Sequence, residues 1–99
     1  ECVSFYQPSE GMKGKAVFPA GPPEGRLFDV AVANMTPGPL KRVADHLTGC
    51  LVPGGLLAVS GLQEHAVPEV VAAYAARGVH LEVQFTEESW VCLAGRRAA

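Results

Sequence analysis

Apolar and polar positions fall into blocks whose period changes along the chain. Cys2-Val3-Ser4-Phe5-Tyr6 is short, apolar and β-prone, and predicts a strand. Within Phe28-Asp29-Val30-Ala31-Val32-Ala33-Asn34, the run Val30 to Ala33 is apolar without a break. Such a run predicts a strand buried on both faces, as in a parallel sheet covered by helices. Leu40, Val43, Ala44, Leu47 and Leu51 then recur at helical spacing, while Lys41, Arg42 and Asp45 fall off that stripe. The pattern predicts one helix, stopped by Pro53-Gly54-Gly55. Leu56-Leu57-Ala58-Val59-Ser60 repeats the buried-strand pattern, and Gly61 turns the chain.

A second helix is expected from Glu64 or Val67 to Arg77, with Val67, Val70, Val71, Tyr74 and Ala75 as its apolar positions. Pro68 suits its first turn and Gly78 its end. The period then drops to two. Val79, Leu81, Val83 and Phe85 alternate with His80, Glu82, Gln84 and Thr86, which predicts a strand with one buried face. Glu87-Glu88-Ser89 is a short polar connection to a last strand, Trp90 to Ala94. So close a junction predicts an antiparallel hairpin. Arg96 and Arg97 are expected to close a frayed tail.

Between the first two strands the chain differs in kind. Gly11, Gly14, Pro19, Gly21, Pro22, Pro23 and Gly25 make residues 8–27 read as one long Pro/Gly-rich loop. The resulting order is strand, loop, strand, helix, strand, helix, strand, strand. That alternation predicts an α/β sheet with right-handed crossovers, occupying residues 1–99 as one unit.

Composition narrows the function. At 99 residues the chain suffices for one small domain. Its 48% hydrophobic and 18% charged content is that of a globular protein. A net charge of −2 argues against general binding to a nucleic-acid backbone, which calls for a basic surplus. No apolar run approaches the ~20 residues of a membrane span. Cys2, Cys50 and Cys92 are odd in number and widely spaced, a poor disulfide framework and a poor metal set. They read as apolar fillers in a reducing, cytoplasmic setting. A start at Glu1 without Met reads as processing or a fragment boundary.

In open α/β sheets ligands bind beyond the C-terminal ends of the strands. Asn34 occupies such an end, on the segment Asn34-Met35-Thr36-Pro37-Gly38-Pro39-Leu40. Its carboxamide oxygen offers an acceptor that can hold an amine N–H and aim the nitrogen lone pair. Capping of the strand and its turn is the other reading. Gly61 reads as a turn requirement, and Ser60 either faces a ligand or bonds nearby backbone. His46, His65 and His80 are scattered without ligand spacing. Glu87 and Glu88 read as a solvated turn rather than a facing acid–base pair. Trp90 and Tyr74 are expected in the core. No Gly-x-Gly-x-x-Gly follows a strand, and no serine stands in a nucleophile elbow.

The stretches Phe28 to Asn34, Pro39-Leu40 and Leu51-Val52-Pro53-Gly54-Gly55-Leu56-Leu57 resemble the later half of class I methyltransferases. A longer series resembles the PrmA family of ribosomal-protein methyltransferases. It comprises Val32-Ala33-Asn34-Met35, Ser60-Gly61-Leu62, Ala72-Ala73-Tyr74, Glu87-Glu88-Ser89-Trp90-Val91 and Gly95-Arg96-Arg97. It runs from Phe28 to Arg97, and Tyr6-Gln7-Pro8 fits more loosely. The resemblance implies the C-terminal half of a Rossmann-like, seven-stranded sheet whose last strand is antiparallel. It implies transfer of methyl groups from S-adenosylmethionine to amines of a ribosomal or similar protein, on lysine side chains or a terminal amine. By the same analogy Asn34 orients the amine, Ala33, Asn34 and Met35 bind the cofactor, and Thr36 and Pro37 contact the substrate. The family's glycine-rich cofactor motif, acidic ribose contact and N-terminal recruiting domain have no counterpart in this sequence. Thr36-Pro37-Gly38 departs from the family's usual residues.

Two functions follow: part of a protein methyltransferase inactive by itself, or a non-catalytic methyltransferase half serving as a structural or protein-binding module. In either, the central strand from Phe28 to Asn34 is expected to show a bare edge. That edge would recruit a missing N-terminal half or a second copy.

Overall fold

The computed structural model describes residues 2–7, 12–17 and 27–98. Six strands form one sheet in the order β2-β1-β3-β4-β6-β5. They are β1 Cys2–Gln7, β2 Met12–Val17, β3 Phe28–Asn34, β4 Leu51–Gln63, β5 Glu82–Glu87 and β6 Trp90–Arg96. The helices are α1 Pro37–Arg42, α2 Ala44–Gly49 and α3 Val67–Ala75, the last entered through a 3₁₀ turn at Glu64–Ala66. β3 and β4 are parallel, and β6 runs antiparallel to both β4 and β5. The predicted α/β class and terminal hairpin are therefore present.

The apolar alternation sorts the sheet into two faces. Ala31 and Ala33 of β3, Leu57 and Val59 of β4, and Val91 and Leu93 of β6 are buried. They join Leu40, Ala44 and Leu47 of α1 and α2, and Val70 and Tyr74 of α3, in one core. Within that core Tyr74 donates its hydroxyl to the Leu40 carbonyl at 2.7 Å, bonding α3 to α1. Burial pushes the Tyr74 hydroxyl above the usual tyrosine range, and pushes the Cys50 thiol up to about 11. Lys41–Glu69 at 3.2 Å and Arg77–Asp45 at 2.6 Å tie the helices on the solvent side. On the other face Val32 is exposed, and Val30, Leu56 and Ala58 are only part-buried.

Several expectations need correction. The segment read as a loop contains β2, whose backbone pairs antiparallel with β1 from Cys2↔Val17 to Gln7↔Met12. Ladder hydrogen bonds override the weak β propensity of its lysines and glycine. Residues 8–11 and 18–26 of that loop lie outside the described part. The edge of β3 is not bare, because β1 pairs antiparallel along it from Cys2↔Asn34 to Tyr6↔Val30. Among the described residues the outermost strands are β2 and β5.

The first helix is two short helices, interrupted at β-branched Val43 with φ −96° and ψ 8°. Its backbone bonds run on through the break, Val43 N–H to Pro39 and Leu47 N–H to Val43. It stops at Gly49, before Pro53-Gly54-Gly55, because Leu51 already pairs with Phe28. Pro53-Gly54-Gly55 lies inside β4, where the register slips between Phe28↔Leu51 and Val30↔Leu56. Gly54 takes φ +81° there. The Arg96-Arg97 tail is bonded rather than frayed. Gly54 N–H donates to the Arg97 carbonyl at 2.9 Å and Arg97 N–H to Gly55 at 2.8 Å. The guanidinium groups of Arg96 and Arg97 donate to the carbonyls of Gly54 and Leu51. Finally, Val79 and Leu81 are buried as predicted but Val83 and Phe85 are exposed, since β5 is an edge strand beyond the helical layer.

Candidate functional site

The parallel pair β3 and β4 sets the site. Register places Asn34, the last residue of β3, opposite Ser60, and the Met35 N–H donates to the Ser60 carbonyl at 3.2 Å. Immediately beyond, β4 bulges. Its pairing with β6 moves from Val59↔Leu93 to Leu62↔Val91, one residue more on β4 than on β6. Gly61 sits in that bulge with φ +89°. Bulges of this kind re-aim a strand near functional sites, and glycine accepts a φ that side chains resist.

Gly61 is needed for space as well. A Cβ placed on it would lie 3.0 Å from the Asn34 amide oxygen and 3.1 Å from the Met35 carbonyl oxygen. Two acceptors thus lie against Gly61, and a side chain at this position would displace them. Hydrogen-bond acceptors so placed suit a group bearing N–H donors.

A cleft of about 230 Å³ opens next to this spot. Thr36 and Pro37 line it from the β3 side, and Gly61 and Gln63 from the end of β4. His65 and Ala66 of the 3₁₀ turn and Trp90 at the start of β6 complete it. The structure thus brings Asn34, Thr36, Pro37 and Gly61 to one end of the sheet. It does not bring the Ala33 and Met35 side chains there: both are buried in the core, at 0% and 1% exposure. Any contact of theirs with a ligand runs through the backbone. His46 and His80 lie away from the cleft lining. Among the described residues no group of His, Cys, Asp or Glu side chains converges as a metal site would need.

Trp90 is the residue that sequence reasoning misplaced. Tyr74 is in the core as expected, but Trp90 is 50% exposed and walls the cleft. Its position follows from strand direction. Because β6 is antiparallel to β4, its first residue pairs with Gln63, the last of β4. The Glu64 N–H donates to the Ser89 carbonyl at 3.1 Å and fixes that junction. Ligands lie past the C-terminal ends of parallel strands. In an antiparallel hairpin the N-terminal residue of the last strand shares that end, as Trp90 does here.

Class I cofactors also need a glycine turn and an acidic ribose contact, and no described residue supplies either.

Residues 10–98 match the sequence profile of ribosomal protein L11 methyltransferase (PrmA). The chain is 42% identical over 96 residues to the ribosomal protein L11 methyltransferase of Burkholderia orbicola (strain MC0-3), covering 95% of this chain and 31% of that protein. It is 46% identical over 81 residues to that of Pseudomonas aeruginosa (strain LESB58), covering 82% and 27%. The chain therefore spans about a third of the length of these curated relatives. Among solved structures, the ribosomal protein L11 methylase of Lactobacillus delbrueckii subsp. bulgaricus superposes with a TM-score of 0.70 at 24% identity, covering 77% of this chain and 40% of that one. A methyltransferase from Pyrococcus furiosus gives a TM-score of 0.59 at 16% identity, over 75% and 43%. These two likenesses carry the fold. The profile match over residues 10–98 and these identities show that the chain belongs to the ribosomal protein L11 methyltransferase (PrmA) family.

Proposed function

We propose that this chain is the acceptor-handling part of a protein methyltransferase that modifies an amine of a ribosomal protein, on lysine or a terminal amine. The observation that carries this reading is the pair of acceptor oxygens, from Asn34 and Met35, that lie together against Gly61 just past the C-terminal end of β3. S-adenosylmethionine, when bound, supplies a methyl group on a sulfonium. The chain's own residues do the rest of the positioning. The Asn34 amide oxygen and the Met35 carbonyl accept the N–H bonds of the incoming amine, which leaves its lone pair directed away from them. Holding the nucleophile in one orientation is worth several kcal/mol of barrier, on the order of 7–11 in the best cases. Thr36 and Pro37 line the cleft beside these acceptors, and Gly61 leaves the Asn34 amide its place against β4. The glycine turn and ribose contact would come from a further segment, as the threefold greater length of the relatives suggests.

The test is a graft. This chain replaces the matching segment of the Burkholderia orbicola relative, and transfer of labelled methyl from S-adenosylmethionine to ribosomal protein L11 is followed. Transfer that falls on Asn34→Ala, with cofactor affinity kept, supports the reading. A folded graft that binds cofactor yet transfers nothing defeats it, and favours a non-catalytic binding module.

A further inference from the structure

The outer strand of the terminal hairpin carries groups that the chemistry of the cleft does not use. All six residues of β5 are exposed, and β5 stands at one margin of the sheet, where among the described residues no strand pairs along its outer side. Val83 and Phe85 are 54% and 61% exposed. Val83 pairs with Leu93 and Phe85 with Cys92, so Gln84 is the extra residue of a bulge. Neighbouring residues of β6 face opposite sides of the sheet, so Val83 and Phe85 flank the edge from opposite sides. The Gln84 amide Nε2 donates to the Glu82 carbonyl at 3.2 Å. A backbone acceptor of the edge strand thus takes its donor from a side-chain amide, the same kind of donor that the N–H groups of an added strand supply.

Charge then selects the occupant. Glu82, Glu87 and Glu88 lie along this strand and its turn, and no Lys or Arg occurs between Arg77 and Arg96. Among the described residues none of these carboxylates is in an ion pair. A second copy would set the same carboxylates against them, and like charges across a strand pair are destabilising. Edge charges and bulges of this kind guard a sheet against its own copies. They do not guard it against a cationic strand. Strand addition supplies main-chain bonds along the edge, and the side chains on either side of the new strand give specificity. Consecutive residues of an added strand face opposite sides. Two apolar ones would meet Val83 and Phe85, and lysines or arginines next to them would reach Glu82 and Glu87.

We propose that the outer edge of β5 is a docking site for an extended, basic polypeptide segment added as a further strand, with Val83 and Phe85 holding two consecutive apolar residues and Glu82 and Glu87 the cations beside them. This surface stands apart from the cleft and does not depend on the amine-transfer reading.

The probes are three blocked peptides: Lys-Lys-Val-Ile-Lys-Lys, its glutamyl counterpart Glu-Glu-Val-Ile-Glu-Glu, and the lysyl peptide methylated on every peptide nitrogen. The last keeps the charge and cannot pair along an edge. The 99-residue chain is titrated with each at low and high salt, and the amide resonances of residues 82–87 are followed. The lysyl peptide should shift these resonances, with affinity that falls as salt rises. The glutamyl and N-methylated peptides should bind at least about tenfold more weakly. Phe85→Lys should lose about tenfold in affinity with the melting transition kept. Glu82→Gln together with Glu87→Gln should lose about fivefold and most of the salt dependence. An N-methylated peptide that binds as tightly as its parent overturns strand addition, because charge alone then explains the contact. Failure of the lysyl peptide to bind, or shifts that leave residues 82–87 unmoved, overturns the docking site. So does a chain that sediments as a dimer and turns monomeric on Phe85→Lys, since a second copy then occupies the edge.

Discussion

The two ends of the sheet are built on opposite terms. At the Phe28–Leu51 end the tail is tied down: Arg97 exchanges backbone bonds with Gly54 and Gly55, Arg96 and Arg97 donate to carbonyls there, and Ala98 donates to Gly78 at 2.8 Å. At the Asn34–Ser60 end, polar and aromatic groups are left open, and backbone takes unusual values at Gly61 and Glu88. One end closes the fold and the other leaves room for chemistry. Substitutions should therefore separate: stability lost without function-specific effects at the first, function lost with stability kept at the second.

The largest effect is expected at the closed end. A Cβ on Gly95 would lie 2.2 Å from the His80 carbonyl oxygen, so Gly95→Ala must displace backbone. We expect a loss of at least ~3 kcal/mol, enough to abolish cooperative thermal unfolding of so small a domain. At the open end, Asn34→Ala should cut turnover of the grafted enzyme about 100-fold, or ~2.7 kcal/mol, while the melting temperature barely moves. Equal losses of turnover and stability would erase the distinction between the ends.

Tyr74→Phe probes the layer between them. It leaves the buried Leu40 carbonyl without its 2.7 Å partner and should cost ~1–3 kcal/mol by urea unfolding, with cleft binding unchanged. Alkaline pH acts on the same layer. Tyr74 and Cys50 both hold their protons more tightly when folded, mainly through burial, so their contribution is whole below their ordinary values. For Cys50 it is lost as pH climbs from about 9 through about 11, and for Tyr74 at higher pH still. Melting curves should accordingly be flat from pH 7 to 8 and fall above 9, with Cys50 slow to react with thiol reagents before that fall. The smallest effect belongs to Lys41–Glu69. Both partners are exposed, and Lys41→Met should change stability by less than ~1 kcal/mol in a salt-dependent way.

The central β3–helix–β4 unit was legible because its cues agree. Val30 to Ala33 and Leu56 to Val59 are unbroken apolar runs, and Leu40, Ala44 and Leu47 keep helical spacing. What escaped were features fixed by partners distant in sequence. Lys13, Gly14 and Lys15 carry little intrinsic β preference and become strand only by pairing with β1. Val83 and Phe85 alternate like a half-buried strand, but burial depends on where the helices end. The place of Asn34 at the end of β3 could be read from strand polarity alone. Trp90 required the direction of β6, and the Gly61 contact required the bulge that brings it against Asn34.

The antiparallel seat of β1 also decides how the molecule can be handled. Cys2 pairs with Asn34, so the chain enters the sheet at the open end, whereas Ala98 leaves it beside Gly78 at the closed end. A tag or partner domain joined before Cys2 starts within reach of the cleft and can obstruct or complete it. A tether placed after Ala98 holds the molecule by its far end and presents the cleft outward.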